Sequence, residues 1–157
     1  MAQPKVSPLA DDPLTEAVVG SWKGKGIAHG FDVRVTRRWG KVLGAQFLCA
    51  HMEESAQLAA YASSAIAYWR PRKDNRYQVV WLDHSGASLH EAEYDVGAQQ
   101  WVLTLQTTDG AEQRLVMAFP SSNECTEKLQ KRRQDTWQTI KRFVLRREPL
   151  HNQTAAE

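Results

Sequence analysis

Between residues 20 and 147 the apolar side chains recur at every second position: Phe31, Val33 and Val35; Tyr77, Val79 and Trp81; Trp101, Leu103 and Leu105; Leu115, Met117 and Phe119; Phe143 and Leu145. A period of two is that of a half-buried β-strand. Turn-forming clusters punctuate the runs at His29-Gly30, Gly40 to Gly44, Pro71 to Asn75, Ser85-Gly86, Asp95 to Gly97, Asp109-Gly110 and Pro120 to Asn123. The spacing predicts strands over 20–29, 31–39, 44–53, 63–70, 76–83, 88–95, 100–107, 112–119, 124–132 and 136–147. Prolines stand only at 4, 8, 13, 71, 120 and 149, so the long stretches between the last four can hold uninterrupted ladders. A meander of about ten strands outgrows a twisted open sheet. The expected fold is all-β, a single antiparallel up-and-down β-barrel.

Two segments break the pattern. Residues 12–19 open with Asp12 at a capping position and Pro13 in the first turn, which predicts a short helix that leads into the first strand and closes one end of the barrel. Residues 53–62, rich in Ala, Glu, Gln and Leu, fit either a helical turn or a strand connection. The organisation read from this is an N-terminal arm over 1–13, a barrel domain over 14–148 and a flexible polar tail over 149–157.

A chain of 157 residues with 42% hydrophobic positions can bury one substantial core. The 20 basic residues nearly balance the 18 acidic ones, so no large field draws nucleic acid or an anionic membrane. The clusters Arg37-Arg38, Arg70 to Lys73, Lys128 to Arg133 and Arg146-Arg147 are read as solvated strand faces. The first twenty residues hold Asp11, Asp12 and Glu16 and no long apolar run, which points to a cytoplasmic location. Cys49 and Cys125 form neither a CxxC pair nor a disulfide framework, and no metal site is expected.

The most informative segment is Gly20-Ser21-Trp22-Lys23-Gly24-Lys25-Gly26, in which Gly20, Gly24 and Gly26 clear one face of the first strand for a sharp bend or a close backbone approach. Trp22 would fill the closed end, and an Arg of the last strand, Arg146 or its neighbour Arg147, could stack on it where first and last strands meet, with Arg146 the preferred partner. This G-x-W-x-G-x-G with a terminal Arg resembles the calycin superfamily of lipocalins and fatty-acid-binding proteins, and the nitrobindins in particular. The stretch from Tyr68 through Trp81-Leu82-Asp83, Glu93-Tyr94-Asp95 and Phe143 to Arg147 is similar to an uncharacterised bacterial group of lipocalin-like domains. The resemblance implies a barrel that binds a small hydrophobic molecule. The nitrobindin likeness also implies haem held by a histidine in the C-terminal part of the barrel, but residues 136–147 contain none, so no cofactor is expected and a haem-binding protein of the nitrobindin kind is the disfavoured alternative.

The expected function is therefore binding of a small hydrophobic or amphipathic molecule in the barrel, with Tyr68, Trp81, Trp101 and Met117 as lining and Arg114 as an anchor for an anionic head group if its face is the inner one. The alternative is acid–base chemistry in the same barrel. Its candidates are Asp83, His84 and His90, brought together by a turn at Ser85-Gly86, and Glu91, which shares a strand face with Glu93. A third reading is a dimerising domain whose interior is filled by its own side chains.

Overall fold

The computed structural model describes residues 8–56, 60–106 and 110–149. One helix, α1 (Pro13–Val18), precedes ten strands: β1 (Gly20–Ala28), β2 (Phe31–Val42), β3 (Phe47–Ala56), β4 (Ala62–Pro71), β5 (Arg76–Asp83), β6 (Gly86–Asp95), β7 (Gln100–Gln106), β8 (Glu112–Ser121), β9 (Glu124–Arg133) and β10 (Thr136–Arg147). Each strand pairs antiparallel with its sequence neighbours, and β10 pairs with β1 to close the barrel. Closure leaves no unpaired sheet edge.

Closure takes place where the sequence places its glycines. Gly24 lies opposite Leu145 and Gly26 opposite Phe143. A Cβ on Gly24 would stand 2.0 Å from the Val144 carbonyl oxygen, and one on Gly26 would stand 1.9 Å from that of Arg142. Glycine is required because β10 backbone occupies the space a side chain would need.

The strand spans agree closely with the alternation, with one offset. β2 runs on to Val42, and the turn after it is closed by the Gln46 N–H donating to the Leu43 carbonyl, so β3 starts at Phe47 and continues through Ala56. The chain over 53–56 is thus strand rather than a helical turn. Residues 57–59 and the expected tail beyond 149 lie outside the described residues.

The two ends of the barrel differ. At the end carrying α1, the N-cap carboxylate of Asp12 accepts from the Thr15 N–H at 2.8 Å and from the Tyr77 hydroxyl at 2.8 Å. That second bond ties the helix to β5 and pushes the Tyr77 phenol up: burial contributes most, Asp12 adds to it, and a bond from Trp101 opposes it. Leu14 and Val18 seal a core of Trp22, Trp39, Trp69, Trp101, Met117 and Leu145. Edge-on aromatic contacts at 5.5 to 5.9 Å link Trp69 to Tyr77 and Trp101 to Phe119. The opposite end, where β1, β3, β5, β7 and β9 finish, carries the cavity described next.

Candidate functional site

Directly opposed residues of an antiparallel pair share a face. The pairs Trp81–Ser88 and Val79–His90 therefore put Ser88 and His90 on the inner side of β6, and Glu91 and Glu93 on the outer side. A one-residue irregularity between Thr139 and Lys141 resets the alternation of β10, so that Lys141, Phe143, Leu145 and Arg147 face inward. These faces enclose a cavity of about 500 Å³ at the mouth of the barrel. Its apolar wall is Met52, Ala65, Trp81, Leu105, Leu115, Leu129 and Phe143, and its polar rim includes Ser63, Asp83, Ser88, His90, Gln106 and Gln113.

The floor is ionic. Arg37, on the inner face of β2, donates from Nη2 to Glu127 Oε1 of β9 at 3.1 Å and from Nε to Glu127 Oε2 at 3.2 Å. Its Nη1 donates to the carbonyls of Thr36 and Glu53. Both side chains are 4% exposed, which makes this a buried pair with its donors occupied. Arg37 and Glu127 also border a small void of about 10 Å³ on the closed-end side, so the pair is the partition between packed core and open cavity. Beside it Lys141 Nζ donates to Glu54 Oε1 at 3.0 Å, and Glu54 Oε2 lies 3.6 Å from Arg37 Nη2. Burial alone would lower the Lys141 pKa, but Glu54 and Tyr61 outweigh it and hold the ammonium above its ordinary range. Burial raises the Cys125 thiol, with Glu127 adding to the effect, so this cysteine stays protonated.

At the mouth Ser88 Oγ and His90 Nε2 are 2.7 Å apart, and burial lowers the His90 pKa. Asp83 accepts from the Ser85 N–H at 2.9 Å, from the Ser85 hydroxyl at 2.5 Å and from Trp81 Nε1 at 3.2 Å. The Ser85 bonds hold its carboxyl below the usual range against partial burial.

Of the residues singled out from the sequence, Trp81, Asp83, His84 and His90 meet in this cavity. Met117 and Trp101 point inward but belong to the closed-end core, with Met117 bordering the small void. Tyr68 lies opposite Cys49 and Val80, on the outer face of β4, because Ala67 and Trp69 take the inner one. Arg114 also faces outward, since Leu115 and Met117 hold the inner face of β8; it stacks 4.2 Å over the Trp137 ring and donates to Gln130. It anchors nothing in the barrel. Glu91 is exposed on the outside. Arg146 is corrected to Arg147: with Leu145 inward, Arg147 shares its face, stacking 4.4 Å over Trp22 and donating to the Ala17 and Val19 carbonyls that end α1. Glu54, Glu127 and Lys141 carry no signal in the sequence reading, and Arg37, read with Arg38 as part of a solvated strand face, is instead buried against Glu127. The alternation Val33, Val35, Arg37, Trp39 does place Arg37 inward, but its carboxylate partner lies 90 residues away.

The inner face of β10 carries no imidazole, so the histidine that the nitrobindin likeness implies in the C-terminal part of the barrel has no counterpart on that strand. Among the described residues no group of three or more His, Cys, Asp or Glu side chains could hold a metal ion. No helix among them is long and apolar enough to cross a membrane.

A closed ten-stranded antiparallel barrel, plugged by a helix at one end and hollow at the other, places the protein in the up-and-down β-barrel class. Among solved structures the chain is similar to the S-type phycobiliprotein lyase CPES from Guillardia theta, with a TM-score of 0.62 and 11% identity over 88% of this chain and 92% of that one. At this identity the likeness speaks for the fold alone. No family model matches the chain, and no curated protein matches it.

Proposed function

We propose that the protein binds a small amphipathic molecule in the mouth cavity. The observation that carries this reading is the cavity itself: about 500 Å³ stays open above the Arg37–Glu127 floor, although the neighbouring half of the barrel is packed solid with aromatic rings. Ligand sites are mostly apolar clefts of about this size with a few placed polar groups. The resemblance of the Gly20 to Gly26 segment to lipocalins and nitrobindins supports the same reading. Trp81 is the one tryptophan that lines the cavity, so an amphipathic ligand should change its emission alone. Titration of intrinsic fluorescence with long-chain amines, alcohols and acids tests this. The signal should vanish in Trp81→Phe while calorimetric binding persists, and a barrel that takes up no member of the panel contradicts the proposal.

A second reading, turnover of the bound molecule, is favoured by the 2.7 Å approach of Ser88 Oγ to His90 Nε2. A neutral imidazole can accept the hydroxyl proton. It requires ester-type probes to be cleaved by the wild type and spared by both Ser88→Ala and His90→Ala. Equal rates in all three proteins would rule it out.

A further inference from the structure

The charges lining the cavity do not cancel. Among the described residues two cations, Arg37 and Lys141, face three carboxylates, Glu54, Glu127 and Asp83, a formal net of −1 counted over Arg, Lys, Asp and Glu. Both cations are already committed, Arg37 to Glu127 at 3.1 Å and Lys141 to Glu54 at 3.0 Å. The carboxylate left over is Asp83. Its bonds come from Ser85 and the Trp81 indole, and among the described residues it makes no salt bridge. We infer that the cavity selects amphiphiles with a cationic, amine-type head over those with a carboxylate head; the inference rests on the binding reading above.

The two head groups meet different physics at each end of the cavity. An ammonium at the mouth finds the Asp83 carboxylate with the Trp81 ring beside it, an acceptor and an aromatic face together. A carboxylate at the mouth meets like charge. To gain a cation it must go to the floor and displace Glu54 from Lys141, which leaves a buried carboxylate without that partner. His90 gives a carboxylate little help, since burial on the inner face of β6 lowers its pKa and disfavours the imidazolium. With Arg114 turned outward, no uncommitted arginine or lysine lines the cavity among the described residues.

The test is competition calorimetry on the full chain at about pH 8, above the ordinary histidine range, with dodecylamine, dodecanol and dodecanoate. Dodecylamine should bind tightest and dodecanoate about tenfold or more weaker. Asp83→Asn should weaken the amine about tenfold and leave the alcohol unchanged. Glu54→Gln frees Lys141 and should strengthen dodecanoate by about tenfold. Should Glu54→Gln fail to fold, Lys141→Gln removes the cation instead and must widen the preference for the amine. Dodecanoate binding as tightly as dodecylamine, or an amine affinity indifferent to Asp83→Asn, overturns the inference while leaving the binding reading intact. Binding of none of the three probes overturns both.

Discussion

At Gly24 and Gly26 the β10 backbone passes where a side chain would stand, so the motif is a condition of closure. Gly24→Ala should destabilise the fold by about 3 kcal/mol, the upper range for forcing atoms into packed space. Gly40→Ala, at a strand glycine with nothing within 4 Å, should change stability little. Urea unfolding of the two variants checks the contrast, and equal midpoints would refute the close approach. The glycine-spaced Trp22 was legible because it depends on local sequence. The stacking arginine was legible only to within one residue. The alternation through Phe143 and Leu145 selects Arg147, whereas Arg146 lies opposite Lys23 on the outside. Arg37 illustrates the limit from the other side. Read beside Arg38 it looks like a solvated basic pair, and only Glu127 on β9 explains why a guanidinium can be buried. Arg37→Met leaves the Glu127 carboxylate buried without its main partner, and should cost about 3 kcal/mol in thermal or chemical unfolding. A near-neutral result would mean the partition does not hold the charge pair.

At the scale of elements, period two placed the strands because each needs only its own residues to declare a buried face. What it could not supply was which strands lie across the lumen from one another. Glu54, Lys141 and Arg37 come from β3, β10 and β2, and the irregularity before Lys141 that turns it inward has no turn residue to mark it. Tyr68 and Arg114 were misplaced for a related reason. Both sit on strands where the two faces carry apolar residues, so size and hydrophobicity alone did not say which face was inner. β6 carries a pH dependence of its own. Burial depresses the His90 pKa below its unfolded value of 6.5, so the unfolded chain binds the extra proton first. His90 therefore costs no stability above that pH, and stability falls as the pH drops through and below it. The melting temperature of the wild type should fall between about pH 7 and pH 5, and His90→Gln should fall less. Parallel curves for the two proteins would show that His90 is not desolvated in the fold.

At the scale of the whole molecule the barrel is two compartments divided by one ion pair. Below Arg37 and Glu127, α1 and a cluster of aromatic rings make a closed end; above them is a hollow with a committed ionic floor and a carboxylate at its rim. The division also sorts the tryptophans. Trp22, Trp39, Trp69 and Trp101 belong to the closed end, Trp137 packs under Arg114 outside, and Trp81 alone lines the hollow. The central claim is tested most directly by fluorine NMR of the protein labelled with 5-fluorotryptophan, its resonances assigned by single Trp→Phe variants, during titration with dodecylamine. The account predicts that the Trp81 resonance shifts with saturation while those of Trp22, Trp39, Trp69 and Trp101 stay in place. A stationary Trp81, or a ligand that moves the closed-end resonances instead, would contradict it.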